Sequence, residues 1–201
     1  MAAGAGPLAV FGGTFNPPHV AHLAVAAAAA EAVRAERVLW VPAALNPHKL
    51  AADAPAPEHR LEMVRLAIAG DPMFEVSAIE IERGGASYTV DTLRALRAEE
   101  PDRELALIVG GDSLAGFDSW RDPEAILDLA RLVVYRRPGF DETGVPPGVL
   151  ENATFVDAPA LELSGTALRR RIAAGRTVRY LVPDAVVEYI GREGLYGTGW
   201  S

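Results

Sequence analysis

Short apolar runs recur along the chain: Leu8-Ala9-Val10-Phe11, Arg37-Val38-Leu39-Trp40-Val41, Phe74-Glu75-Val76, Leu105-Ala106-Leu107-Ile108-Val109 and Leu132-Val133-Val134-Tyr135. Runs this short and this continuous predict strands buried on both faces. Helical patterns fall between them, around residues 58–69, 90–99 and 122–130. From about Pro18 to Arg34 the composition is Ala-rich and strongly helical, with Leu23, Val25 and Val33 as its larger apolar groups. Strands alternating with helices predict an α/β fold, a doubly wound and mostly parallel sheet with helices on both faces. Ligands of such sheets bind outside the carboxyl ends of the strands. Gly12-Gly13 and Gly110-Gly111-Asp112 stand at two of those ends. Ala51–Pro57 and Pro138–Gly148, rich in Pro, Gly and small residues, predict flexible loops.

Composition narrows the class. With 201 residues, 50% of them hydrophobic and 23% charged, the chain is expected to form a single domain over 1–201 with a real core. Residues 1–7 are expected to be a flexible tail and 164–201 a C-terminal helical part. The absence of Cys excludes a disulfide framework and fits a reducing cytoplasm. The opening MAAGAGP has no basic leader region, and the Ala-rich stretch is interrupted by His22 and Glu31, so a cytoplasmic protein without a membrane partner is expected. A formal net charge of -8 argues against nucleic acid as a partner. It also means that any polyanion site must build its own positive potential, for which helix termini, histidines, Lys49 and Arg169-Arg170-Arg171 are the candidates.

The densest chemistry lies in GGTFNPPHVAHL, from Gly12 to Leu23. It reads as strand, glycine turn, helix. Gly12 and Gly13 tolerate positive φ, Asn16 is the expected N-cap and Pro17 the expected first helical residue. The first amides of such a helix lack internal partners, and its dipole adds about 0.3–1 kcal/mol toward a bound anion. His19 and His22, three apart, project from one face of that turn. Zinc is disfavoured, since a site takes three or four ligands and His48 and His59 lack ligand spacing. The dehydrogenase-type glycine pattern is absent too, because Gly4-Ala5-Gly6 precedes the strand. What remains is a phosphate site or, since a glycine pair after a strand is often no more than that, only a tight turn.

These residues resemble the phosphate-binding motif of the HxGH nucleotidyltransferases and, within them, of the nicotinate mononucleotide adenylyltransferases. Asn16 stands where Asp is common, and Ala21 where Gly is usual. Further clusters carry the likeness across most of the chain. Asn46-Pro47-His48-Lys49 resembles a PHK segment that lies beside the mononucleotide, whereas spacing alone would equally make Lys49 a solvated loop residue. Ser87-Tyr88-Thr89-Val90-Asp91-Thr92-Leu93 is similar to the SYTxDTL segment, which implies that Thr89 helps receive the pyridine carboxylate; as a local feature Thr89 also suits a helix cap. Gly110-Gly111-Asp112-Ser113 resembles GxDS, where the Asp meets ribose or stands near phosphate, although Asp112 would also suit the cap of the next helix. Trp120 matches a tryptophan that stacks on the pyridine ring, a place where a lone Trp would otherwise be core. Leu163-Ser164-Gly165-Thr166-Ala167-Leu168-Arg169 is similar to the ISSTxIR loop and helix, with Gly165 for the second Ser. Hydroxyls and bare amides at a helix start, with Arg one turn on, make a second phosphate cradle. Arg170 and Arg171 are expected on a solvated face. Tyr180–Val186 continues the likeness and is expected to pack the last helix.

The resemblance implies a Rossmann-like nucleotidyltransferase fold and adenylyl transfer from ATP to nicotinate mononucleotide. Mg²⁺ would arrive with ATP, and the protein itself would supply no metal site. His19 and His22 would meet α- and β-phosphate oxygens, with Gly12, Gly13, Thr14 and Phe15 forming the turn around them. Gly110 and Asp112 would serve the nucleotide, Ser164, Thr166 and Arg169 the β- and γ-phosphates, and Lys49, Thr89 and Trp120 the mononucleotide. The related pantetheine-phosphate adenylyltransferases share the histidine motif in usually shorter chains, and a silent nucleotide-binding module is the alternative outside catalysis. Self-association into a homo-oligomer stays open.

Overall fold

The structure, a computed structural model, describes residues 6–45, 54–114, 116–136, 140–141, 145–159 and 161–197. Its centre is a 6-stranded sheet. The strands are β1 (Leu8–Gly13), β2 (Arg37–Pro42), β3 (Phe74–Val76), β4 (Leu105–Gly110), β5 (Ala130–Tyr135) and β6 (Ala153–Val156). They lie in the order β3-β2-β1-β4-β5-β6, and every pairing is parallel. The expected strands are all present, in a sheet that is parallel throughout. β6 is the addition: Ala153-Thr154-Phe155-Val156 is an edge strand in which only Val156 is buried, so its apolar signal is weak.

The helices are α1 (Val20–Val33), α2 (Pro57–Ile68), α3 (Ile79–Arg83), α4 (Thr89–Glu99), α5 (Pro123–Leu129), α6 (Pro147–Glu151), α7 (Gly165–Ala173) and α8 (Asp184–Arg192). α6 begins inside the stretch expected to be a loop. The rest of that stretch falls partly outside the described residues, as do 51–53 and the expected tail up to residue 5.

Period-2 alternation along buried strands sends their side chains to two apolar layers. Leu8, Val10, Leu107 and Leu132 pack with Val90, Leu93 and Leu96 of α4 and Ile126 of α5. Ala9, Phe11, Trp40 and Ile108 pack with Val25, Ala26, Ala29 and Ala30 of α1 and Val64 of α2. The alanines let α1 lie close to the sheet. A third cluster joins Met63 of α2 to Leu168 and Ile172 of α7, Val186 and Ile190 of α8, and Val182 between those helices. Val182 and Val186 pack as expected, whereas Tyr180 is 82% exposed. Among the described residues, no helix is long and apolar enough to cross a membrane.

Candidate active site

From β1 the chain winds outward through β2 to β3, and from β4 outward through β5 to β6, so the winding direction reverses between β1 and β4. Strand ends splay apart at such a reversal and leave a crevice. The crevice here is an open cleft of about 860 Å³. Gly12, Gly13, Thr14, Phe15, His19 and His22 line it after β1, and Gly110 and Asp112 after β4. Thr89 and Trp120 line it from the layer of α4 and α5, while Ser164, Thr166 and Arg169 come from the start of α7. Lys49 lies outside the described residues.

The turn after β1 differs in detail from expectation. Gly12 and Gly13 are extended strand residues, and the positive φ falls on Phe15, at 48°. That conformation costs a non-glycine residue about 1 kcal/mol or more. Packing holds it: the Phe15 ring is buried edge-on to Phe11, with centroids 5.5 Å apart, and 5.2 Å from Trp40. Gly13 is needed because a Cβ there would meet that ring at 3.0 Å.

The helix also starts later than the sequence suggested. α1 begins at Val20 with His19 as its N-cap residue, so neither Asn16 nor Pro17 plays the expected part. The Val20 amide donates to the carbonyl of Leu181 at 3.0 Å, so the C-terminal segment occupies one of the donors expected to face an anion. His19 and His22 stand at that same helix start. Their rings stack with centroids 3.7 Å apart and planes 26° from parallel. Nδ1 of His22 accepts from the backbone N–H of His19 at 3.2 Å, which leaves the ring proton of neutral His22 on Nε2. A donor at Nε2 is the form that suits a phosphate oxygen.

The residues expected to form the second cradle stand at the start of α7. Ser164 is its N-cap, and its Oγ accepts from the Ala167 amide at 3.2 Å while the hydroxyl proton remains a donor. Arg169 donates through Nη2 to Thr166 Oγ1 at 3.3 Å and through Nη1 to the Asn16 carbonyl at 2.9 Å. Asn16 thus joins the two cradles instead of capping a helix. Arg170 is exposed as expected; Arg171 donates to the Thr177 carbonyl.

On the α4 side the N-cap residue is Tyr88, and Thr89 is the first helical residue, half-buried on the cleft wall. Trp120 is half-buried, tilted against Phe117 with centroids 5.3 Å apart. It packs on the core and lines the cleft at once. Beside it, the Arg121 guanidinium lies 4.7 Å from the centre of the Tyr88 ring. Asp112 sits in a one-turn 3-10 segment, Gly111–Ser113, exposed on the cleft rim.

Two buried ionisable groups escaped the sequence reading. Arg60 is 3% exposed and donates to the carbonyls of Thr14 at 3.1 Å, Ala44 at 2.9 Å and Pro55 at 3.3 Å. It therefore braces the turn after β1 against the end of β2. Burial lowers its pKa, against the opposing pull of Tyr196, Glu58 and Glu80. The signal was present: Arg60 shares a helix face with the buried Met63 and Val64, where a charge is out of place. Glu80 lines the cleft, 6% exposed, and accepts from Thr92 Oγ1 at 2.6 Å. Burial raises its pKa, opposed by hydrogen bonds from Thr92 and Ser87 and by Arg83 and Arg60.

The chain matches the family model described as cytidylyltransferase-like over residues 10–171. It is 45% identical over 187 residues to a protein of Salinibacter ruber described as a probable nicotinate-nucleotide adenylyltransferase, covering 93% of this chain and 96% of that one. A Roseiflexus protein of the same description is 46% identical over 195 residues, covering 94% and 98%. Among solved structures, the Plasmodium falciparum nicotinic acid mononucleotide adenylyltransferase complexed with NaAD superposes with a TM-score of 0.79 at 16% identity, covering 98% of this chain and 100% of that chain. That last likeness shows the fold.

Proposed function

The chain belongs to the cytidylyltransferase-like family and, within it, to the nicotinate-nucleotide adenylyltransferases, and from that membership we infer that it moves AMP from ATP to nicotinate mononucleotide, giving nicotinate adenine dinucleotide and pyrophosphate. One observation supports the assignment of the site above all. Segments far apart in sequence deliver His19, His22, Thr89, Asp112, Trp120, Ser164, Thr166 and Arg169 to one cleft at the sheet's switch point.

The reaction asks little of acid–base chemistry. A phosphate oxygen of the mononucleotide, already ionised near neutral pH, attacks the α-phosphorus of ATP; the bond to the β-phosphate oxygen breaks and pyrophosphate leaves. Alignment and neutralisation of the developing charge are what the protein must supply. His19 and His22 meet α- and β-phosphate oxygens as donors, and Ser164, Thr166 and Arg169 hold the β- and γ-phosphates. Asp112 with Gly110 serves the nucleoside, while Thr89 and Trp120 receive the pyridine ring and Lys49 the charge of the mononucleotide. Arg121 adds positive charge beside Trp120.

Mg²⁺ fits this inventory as an ion carried by the triphosphate. Among the described residues no group of three or more His, Asp or Glu is placed to cage a metal, and the carboxylates that line the cleft are Asp112 and Glu80. The ion would offset phosphate charge, with phosphate oxygens and water as its main ligands.

Initial rates of pyrophosphate release with ATP and, in parallel, nicotinate mononucleotide, nicotinamide mononucleotide and phosphopantetheine test the reading. Fastest turnover with the nicotinate substrate is expected. Preference for the amide or for phosphopantetheine would overturn the acceptor, and binding without turnover would overturn catalysis.

A further inference from the structure

Tyr196 stands at the opposite end of the chain from the histidine motif, in the 3-10 turn Leu195–Gly197. Its backbone is left-handed, with φ 60° and ψ 25°, values that a tyrosine adopts only where its surroundings hold it. The ring packs on the cluster built from α2, α7 and α8. The hydroxyl donates to Oδ1 of Asn16 at 2.7 Å and lies 3.9 Å from the sulfur of Met63. Burial holds that hydroxyl protonated well above its ordinary range, against the pull of Arg169 and Arg60, so it is a donor at any assay pH.

Asn16 is therefore engaged through both of its oxygens. Its carbonyl takes Arg169 Nη1 from α7, and its side-chain oxygen takes Tyr196. The residue is 7% exposed and lies between Phe15 and His19, both on the cleft wall. A neutral amide at this position accepts both donors without setting a carboxylate beside Arg169, whose charge stays directed at the cleft. An unsatisfied oxygen in so buried a place would be costly, and Tyr196 satisfies it.

We propose that Tyr196 is a positioning residue for the ATP half of the site: by holding Asn16 it fixes the carbonyl that anchors Arg169, and so sets the spacing between the histidine motif and the Ser164–Arg169 cradle. The inference rests on the reading that the triphosphate spans those two cradles. The C-terminal turn is then part of the machinery that binds ATP, although Leu195, Tyr196 and Gly197 do not line the cleft.

Tyr196→Phe removes only the hydroxyl and keeps the ring. The KM for ATP is expected to rise about three- to tenfold, the effect of one ordinary hydrogen bond, while the KM for the mononucleotide stays within about twofold. Asn16→Ala is expected to raise the ATP KM by a similar factor, and the double variant no further, because both changes break one bond. Thermal unfolding of each variant shows whether the fold is kept. Equal changes in both KM values, or additive effects of the two substitutions, would mean general loosening and overturn the proposal. Arg169→Lys separates the two ways of failing. If it raises the ATP KM and Tyr196→Phe does not, the positioning role alone is wrong; if neither moves it, the placement of the triphosphate is wrong and the proposal falls with it.

Discussion

A methyl group at Gly165 would sit 2.6 Å from the carbonyl oxygen of Asn16. The start of α7 thus lies against the backbone of the histidine motif, and Gly165 is the residue that permits it. The lost hydroxyl, relative to the serine of the resembling motif, is the cost of that approach. Gly165→Ala is expected to lower stability by about 1–3 kcal/mol through overpacking against backbone. It should also raise the KM for ATP, since α7 must move away from Asn16. Denaturant unfolding with steady-state kinetics checks both; unchanged values would show that the contact is loose.

His19 is buried at the N-cap of α1 with its ring stacked on His22. In its proposed role as a charge stabiliser of the pentacoordinate state, it should contribute mainly to turnover. His19→Ala is expected to lower kcat on the order of 10²-fold, with a smaller change in KM. A variant with wild-type kcat would remove His19 from the mechanism.

Arg60 holds the Thr14 and Ala44 carbonyls together beneath the cleft. Arg60→Met keeps much of the stem but leaves part-buried carbonyls without their donor. A loss of about 1–3 kcal/mol in unfolding free energy is expected, from the hydrogen bonds lost. Urea denaturation measures it, and a loss below about 1 kcal/mol would mean that water or a neighbour replaces the guanidinium.

Glu80 gives a pH signature. Burial raises its pKa in the folded protein above the ordinary 4.5, so the folded state holds the proton more tightly than the unfolded state does. Its contribution is fully present below about 4.5 and is lost as pH rises through the higher folded value. Glu80→Gln keeps an acceptor for Thr92 and removes the titration. The stability of this variant relative to the wild type should therefore increase from pH 4 upward. A difference that stays flat between about pH 4 and 8 would contradict the burial effect.

The strands were legible because each leaves a local mark, and the residue types proposed for the site leave one too. Burial on both faces writes Leu105–Val109 and Val38–Val41 as unbroken apolar runs, and a phosphate site needs glycine, hydroxyl and cationic residues near helix starts. Where the mark is weak, reading failed. β6 is an edge strand with little buried surface, and Asn16 looked like a helix cap because Asn before Pro so often is one. Arg60 carried a faint signal in its place on an apolar helix face.

The amino-acid order by itself determined the wound α/β sheet, the sheet end where the cleft lies and the residue types gathered there, since these depend on burial periodicity and on neighbours within a turn or two. Tertiary structure decided how those parts are held. The bonds from Asn16 to Arg169 and Tyr196 span 153 and 180 residues, the positive φ fell on Phe15 and not on a glycine, and the α1 terminus turned out to be partly occupied by Leu181. Such contacts form only after the chain has closed on itself. Their geometry is set by packing between distant layers, which no local pattern records.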